Sequence, residues 1–181
     1  MTTHPAWTVG RQLGAAFAAM VALVLLLALT GWSRIAAINH NLESLVDQTL
    51  PTLTALSEVN DRLQVVRTAE LSHLAALTMP AKDREEAAVK TAVTALDTAL
   101  ERYNATGGAQ DHGTEVKVLS EALTKFNASR STFLQMSNSA AGAESERAVE
   151  ASDYFSGPSQ QAYQGAYNAV HTLWLGHVAQ A

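Results

Sequence analysis

Two charged residues, Arg67 and Glu70, lie one helical turn apart in a stretch that otherwise repeats leucine, valine and alanine at helical spacing. An unpaired charge in a helix core is costly, so each of these side chains needs a partner or water. In one interpretation the two pair with each other, or the arginine reaches the surface along its aliphatic stem. In the other, Arg67 binds an anion between two helices or two protomers. Both interpretations stay open at the level of sequence.

Arg62 lies five residues before Arg67, which places it about 140° away around a helix. The two arginines can hold one ligand only if that ligand sits in a crevice between two helices. Taken alone, Arg62 is expected at the solvated surface. Arg130 falls among apolar positions of a later helix, where we expect it to reach solvent or to pair with an acid.

A second group with possible chemistry surrounds Pro158, inside a long helical pattern. Proline supplies no N–H, so the carbonyl of Tyr154, four residues earlier, loses its helical partner, and Gly157 loosens the same turn. Free carbonyls of Tyr154 and Phe155, together with the Ser159 hydroxyl, would accept a donor such as a ligand ammonium. The alternative is a simple kink, or a helix that begins at Pro158.

The remaining composition excludes several kinds of function. The chain has no cysteine, 12 basic and 17 acidic side chains and no basic stripe, which argues against thiolate metal sites and nucleic acid. Several histidines show no metal-ligand spacing such as H-x-x-x-H: His40, His73, His112, His171 and His177. No Ser-His-Asp set, phosphate loop or carboxylate pair stands out. We therefore expect no metal, no cofactor and no enzymatic activity.

The elements that must position these groups are all helices. No alternating strand pattern occurs, and apolar residues recur at steps of three and four. The first helix is predicted to leave the membrane without a break, to bend at Pro51 and to end near Met79-Pro80. Its stripe comprises Leu42, Val46, Thr49, Leu53, Leu56, Asn60, Leu63, Arg67, Glu70, Leu74 and Leu77.

Three further helices are predicted, over about 82–103, from about 114 to a small polar stretch at 137–142, and from about 143 to the end of the chain. Thr106-Gly107-Gly108 ends the first of these, and Gly157-Pro158 interrupts the last. Short linkers favour an all-α fold in which a transmembrane helix continues into an up-down-up-down four-helix bundle.

An uncharged run at residues 13–32 precedes the bundle. At about 1.5 Å per residue it spans roughly 30 Å, the thickness of a bilayer core. Its length and the lack of a small-x-small cleavage site favour an uncleaved span over a signal peptide. The positive charge of Arg11 and of the N-terminal amine, against Arg34 on the other side, indicates a cytoplasmic N-terminus.

We therefore predict three parts of the chain: a cytoplasmic tail at 1–11, a span of the inner membrane at 12–32 and a periplasmic sensor domain at 33–181. The last residues show no helix stop signal, so the chain is expected to end before a second span.

Three segments resemble the N-terminal half of a bacterial methyl-accepting chemotaxis receptor. WTVGRQLGAAFAAMVALVLLLALTGWSRI, at 7–35, resembles the first membrane span of that family, and NDRLQVVRTAELSHLAAL, at 60–77, resembles its ligand-contacting first helix. YFSGPSQQAYQGAY, at 154–167, resembles the fourth-helix motif of its aspartate- and serine-binding members. The resemblance implies a homodimeric periplasmic four-helix bundle with ligand at the dimer interface.

Carried over by motif, the resemblance implies a ligand site composed of Arg62, Arg67, Tyr154, Phe155, Gly157 and Ser159. Three departures from the pattern of the aspartate-binding members argue against aspartate as the ligand. Leu71 stands where those members have a further arginine, Gly157 where they have a glutamine and Ser159 where they have a threonine. A short di- or tricarboxylate is the first expectation and an amino acid the second, each anchored by a bidentate contact from Arg67.

Two other functions stay open. The same bundle serves as the sensor half of histidine kinases or cyclic-dinucleotide enzymes, which residues beyond 181 would identify. A membrane-anchored bundle that binds no small ligand is the other alternative. In the receptor interpretation, ligand favours one arrangement of the packed helices, and the shift passes along the first helix into the span.

Overall fold

The computed structural model describes residues 9–44, 46, 49–142 and 145–180. All regular structure in this part of the chain is helical, which confirms the predicted all-α class. The chain divides into two units, at residues 1–44 and 45–181, and each unit is described by itself.

The first unit contains one long helix, α1 (Val9–Ser44). Its segment Gly14–Trp32 has a mean hydropathy of 2.3 with no part buried, and it is the one helix of the described residues long and apolar enough to cross a membrane. Residues 1–8 of the predicted tail, and the side chains of Arg11 and Arg34, lie outside the described residues. The boundaries of tail, span and sensor domain therefore remain predictions.

The second unit is a four-helix bundle. Its first three long helices are α2 (Leu50–Ala75), α3 (Met79–Asn104) and α5 (Gly113–Ser139), with a single turn, α4 (Gly108–Asp111), between the last two. The fourth helix consists of α6 (Ser145–Tyr154), a π-helical turn (Phe155–Ser159) and α7 (Gln160–Gln180).

Short connections make successive helices antiparallel, as contacts at both ends of the α2–α3 pair show. Arg102, near the end of α3, binds Glu58 near the start of α2, whereas Lys82, near the start of α3, contacts the backbone of His73 near the end of α2.

The core lies along the bundle axis, and its largest fully buried apolar side chains are Tyr103, Phe126, Phe133, Leu56, Leu63, Leu96 and Leu173. The stripe predicted for the second helix is confirmed, since its members Val89, Ala92, Leu96, Ala99 and Tyr103 are all buried. On the fourth helix two predicted core positions are wrong, because Val149 and Trp174 are exposed.

The stripe predicted for the first helix is rotated relative to the one observed on α2. The buried side chains are Thr52, Leu56, Val59, Leu63, Val66, Glu70 and His73. Asn60 and Arg67, predicted in the stripe, are only half-buried, beside the fourth helix. Both stripes have a three-four spacing and share Leu56, Leu63 and Glu70, so periodicity alone does not fix which side of the helix faces the core.

Pro80 acts differently from the prediction. The first bundle helix ends at Ala75, and Pro80 belongs to the first turn of α3, where a missing N–H costs nothing. Pro51 sits in the first turn of α2, and its predicted bend in a helix continuous with α1 stays a prediction. Leu45 and residues 47–48, where the two helices would join, lie outside the described residues, as does Ala143 at the predicted start of the fourth helix.

Candidate functional site

Arg67 connects α2 to the irregular turn of the fourth helix. Its Nη1 donates to Glu70 Oε2 and to Ser159 Oγ, each at 2.9 Å, and its Nη2 donates to the Phe155 carbonyl and to Gln160 Oε1, each at 2.8 Å. The guanidinium carbon lies 3.5 Å from the centre of the Phe155 ring, which adds a cation–π contact. The four terminal N–H groups of Arg67 therefore have acceptors within the chain.

Pro158 explains why the fourth helix offers a carbonyl at this place. Because proline has no N–H, the chain cannot continue the regular hydrogen-bond pattern, and residues 155–159 form a π-helical turn. In a regular helix, the missing N–H of Pro158 would leave the Tyr154 carbonyl free, as the sequence predicted. In the structure, the carbonyl that accepts from Arg67 is instead that of Phe155, one residue later. Ser159, immediately after the proline, is fully buried and turns its hydroxyl to Arg67.

Glu70 is the buried carboxylate of the site, with no solvent exposure. Burial raises its pKa above the usual range, and the hydrogen bond and charge of Arg67 oppose that rise. Arg130 on α5 acts on Glu70 electrostatically as well, while burial lowers the pKa of Arg130 itself. Glu70 Oε1 and Arg130 Nη1 are buried without a hydrogen-bond partner among the described residues. Two guanidinium groups therefore act on Glu70, and the carboxylate of Asp97 acts on Arg130 as well, so these four charges balance.

An open depression of about 320 Å³ lies next to Arg67, between α2 and the fourth helix. Its lining comprises Gln64, Arg67, Thr68, Leu71, Phe155 and Tyr163. The aromatic rings of Phe155 and Tyr163 lie with their centres 3.5 and 5.6 Å from the guanidinium carbon. The depression thus combines one cation, two aromatic faces and polar side chains that solvent reaches.

Three predicted site residues come together: Arg67, Phe155 and Ser159. Arg62 belongs to another group, because it donates to Glu58 at 3.4 Å, and Glu58 also accepts two 2.9 Å bonds from Arg102.

The other two predicted residues, Tyr154 at the end of α6 and Gly157 in the π-helical turn, do not contact Arg67 through the bonds described above. The Tyr154 hydroxyl lies 3.3 Å from Ser129 Oγ of α5. A side-chain carbon added to Gly157 would meet nothing within 4 Å, so this glycine leaves open space where the family pattern has a side chain.

Sequence reasoning missed Gln160, which accepts a hydrogen bond from Arg67, and Gln64 and Tyr163, which line the depression. A signal was available: Gln64 precedes Arg67 by three residues and Tyr163 follows Gln160 by three, so each pair shares a helix face. The sequence does not predict which face of α2 contacts which face of α7, because this depends on how the two helices are rotated about their axes. Among the described residues no cluster of three or more histidine, aspartate or glutamate side chains could hold a metal ion.

Comparisons with known proteins agree with the geometry at the level of family. A search of curated proteins and a search of solved structures gave no match. A family model described as a four helix bundle sensory module for signal transduction matches residues 6–175, which include the apolar segment of α1 and all of the described site. The chain therefore belongs to the four-helix-bundle sensory modules of methyl-accepting chemotaxis proteins.

Proposed function

We propose that this chain is the sensory part of a transmembrane chemoreceptor that binds a small organic acid on the periplasmic side of the inner membrane. A di- or tricarboxylate is the ligand class we favour. The single observation that carries the proposal is the position of Arg67, half-buried at the edge of an open, aromatic-lined depression and held by a helix turn that proline makes irregular.

Arg67 can exchange acceptors when a carboxylate enters the depression. Two of its present acceptors, Ser159 Oγ and Gln160 Oε1, are neutral, and a hydrogen bond to an ionised carboxylate is about twice as strong as one to a neutral group. Glu70 stays bound to Arg67, and Arg130, on which Asp97 also acts, offsets part of the negative charge of Glu70. A ligand anion would therefore be held by charge-assisted hydrogen bonds from Arg67 and not by a net positive charge of the site.

Ligand binding would be coupled to signalling through a homodimer. The exposed side of α2 carries Leu50, Val65 and Leu71, and Arg62 lines a groove on the same side. In a dimer across this face, Arg62 of one protomer could approach a ligand held by Arg67 of its partner. A ligand shifts the arrangement of packed helices only as far as its affinities for the two arrangements differ.

An amino acid is the second candidate ligand. The Phe155 carbonyl and the Glu70 carboxylate are acceptors beside the depression, and an α-ammonium group needs such acceptors. The receptor function is the same in this case, and only the ligand class differs.

A bundle without small ligand is favoured by one specific observation: the four terminal N–H groups of Arg67 are already satisfied within the chain. In that case Arg67 only ties α2 to the fourth helix, and the domain responds to a protein partner or serves as a sensor half for a different output, such as a histidine kinase.

The decisive experiment is calorimetric titration of the 181-residue chain in lipid nanodiscs with malate, citrate and glutamate. Arg67→Lys is the test variant, because it keeps the charge but loses the planar fork that binds a carboxylate bidentately. Arg84→Ala, at an exposed position on α3, is the matched control, and thermal melting shows that each variant is folded.

We expect one carboxylate to bind the wild type and Arg84→Ala with micromolar affinity. Loss of a charge-assisted contact of about 1.5–3 kcal/mol should weaken binding to Arg67→Lys roughly tenfold to a hundredfold. Absence of heat from all three probes, or equal affinity in folded Arg67→Lys, would favour the bundle without small ligand.

A further inference from the structure

A separate cavity of about 250 Å³ lies at the end of the bundle where α2 joins α3 and where α5 approaches α6. Small side chains form much of its wall: Ser137, Ala140, Gly142, Ala148 and Ala151. Leu77 and Gly142 at its rim are exposed to solvent. None of the residues that bind Arg67 lines this cavity, so it is a second pocket and no extension of the first.

One cation, Lys82, lines this cavity and is only 3% exposed. Its Nζ donates to the His73 carbonyl at 3.0 Å and to Ser137 Oγ at 2.8 Å, and both acceptors are neutral. An ammonium has three N–H donors, and these two acceptors are the hydrogen-bond partners of Lys82 within the described part of the chain. No carboxylate of the described residues forms an ion pair with Lys82.

The charge of Lys82 is therefore paired with no anion of the described residues. Burial lowers the pKa of Lys82, which expresses the cost of keeping an ammonium away from water. Ser137 helps to orient the amine of Lys82, because its Oγ accepts a hydrogen bond from Lys82 Nζ. The Ser137 hydroxyl can in turn donate its proton to His73 Nδ1, which lies 3.0 Å away. A buried, oriented cation beside alanine walls is complementary to a small anion with a short apolar part.

We propose that this cavity binds a short-chain monocarboxylate, with its carboxylate at Lys82 Nζ and its alkyl group against Ala140 and Ala151. One cation matches one negative charge, so a dicarboxylate would leave a buried charge unpaired. The described lining contains no carboxylate acceptor, so an amino acid would place its ammonium next to the lysine without a partner. The ligand class thus differs from the one proposed at Arg67.

The experiment uses propionate as probe and the 181-residue chain in nanodiscs. Saturation-transfer NMR of the propionate methyl group reports binding, and the melting temperature in equal concentrations of sodium propionate and sodium chloride separates binding from ionic strength. Lys82→Met removes the cation and keeps a side chain of similar length. Lys125→Met, at an exposed position on α5, is the matched control, and glycine is the matched control ligand.

We expect propionate, but not glycine, to give a signal with the wild type and Lys125→Met, and affinity to fall at least tenfold in Lys82→Met. Lys82→Met should fold, because it removes a buried charge without leaving an opposite one behind. If it does not, Ala140→Leu narrows the cavity with Lys82 intact and should abolish the signal.

Three results would overturn the proposal: no propionate signal with the wild type, unchanged affinity in Lys82→Met and Ala140→Leu, or equal binding of glycine. Arg67→Lys is included because it should leave propionate binding unchanged. Loss of propionate binding in folded Arg67→Lys would indicate that propionate binds at Arg67, and this would refute the proposal. Failure of malate, citrate and glutamate to bind would refute the function proposed for Arg67 but not the monocarboxylate site at Lys82.

Discussion

At the scale of single residues, the bundle keeps a few buried polar groups whose ionisation is linked to packing. Glu70 is the clearest case, because its one ion-pair partner in the described residues is Arg67. Removing Arg67 would leave a buried carboxylate without its pair, which typically costs about 3–5 kcal/mol. This is why a change to lysine, and not to alanine, suits a binding experiment at this position.

A pair of histidines near α4, at the end of the bundle where α3 is connected to α5, predicts a pH dependence of stability. The rings of His177 and His112 lie 4.2 Å apart between centroids, and Nε2 of His177 lies 3.0 Å from the Tyr103 hydroxyl. Burial raises the pKa of Tyr103 to about 12, so its hydroxyl keeps its proton and can donate to neutral His177. Burial, then the charge of His112, lowers the pKa of His177 below 6.5, against the opposing effect of Asp111 and Glu115.

The sign of the effect follows from linkage. The relevant pH window runs from the lowered pKa of His177 in the folded chain up to 6.5, its value in the unfolded chain. Within this window the unfolded chain binds more protons at His177 than the folded chain does. The free energy of unfolding therefore falls as the pH falls through the window. The slope for one such group is at most about 1.4 kcal/mol per pH unit. His73, whose pKa burial also lowers, acts in the same direction.

We expect His177→Gln to lose less stability than the wild type between pH 7.5 and 5.5. Urea unfolding at both pH values measures the difference, and His171→Gln, at an exposed position of the same helix, is the control. An unchanged pH dependence in His177→Gln would contradict this account.

At the scale of elements, the π-helical turn interrupts the regular hydrogen-bond pattern of the fourth helix. Proline makes the turn necessary, but Gly157 is not required by space, since an added side-chain carbon would meet nothing within 4 Å. Its φ also lies outside the left-handed region that favours glycine. Gly108, in α4, is different, because an added carbon there would come 2.7 Å from Thr52 Cγ2 and 2.9 Å from His177 Cε1.

We therefore expect opposite effects from the same substitution at these two glycines. Gly157→Ala should raise the free energy of unfolding by about 0.5–1 kcal/mol, since alanine loses less backbone entropy in a helix. Gly108→Ala should lower it by about 1–3 kcal/mol through overpacking. Urea denaturation measures both, and a destabilised Gly157→Ala would mean that the turn needs glycine for its backbone.

At the scale of the whole molecule, the proposed dimer face carries several exposed apolar side chains. Leu50, Val65 and Leu71 of α2 and Leu175 and Val178 of α7 are each between 42% and 55% exposed. Exposed apolar side chains that cluster on one side of a molecule are typical of interaction sites. These side chains support the proposed homodimer, and they lie on helices that also carry the Arg67 site.

We expect Val65→Asp to weaken the dimer at least tenfold, which corresponds to about 1.4 kcal/mol. Val118→Asp on α5 is the matched control, because Val118 is 53% exposed and Val65 is 47% exposed. Sedimentation equilibrium of the full chain in detergent measures the dissociation constant. Equal dissociation of the two variants, or no effect of Val65→Asp, would place the dimer interface elsewhere.

Helix periodicity, the apolar segment of α1, the short linkers and the interruption at Pro158 were all readable from the sequence, because each depends on residues close together in the chain. These local signals predicted the helical bundle and the broken fourth helix, and they singled out Arg67 and Glu70 as residues in need of partners.

The tertiary structure alone decided how α2 is rotated, and with it which acceptors Arg67 receives. A three-four spacing allows two adjacent stripes, and the choice between Val59 and Asn60 for the core depends on how α2 packs against its neighbours. The same holds for Lys82, an ordinary surface residue by sequence, whose burial arises because α2, α3 and α5 converge there. Contacts between residues 55 to 93 positions apart exist only after the helices have packed.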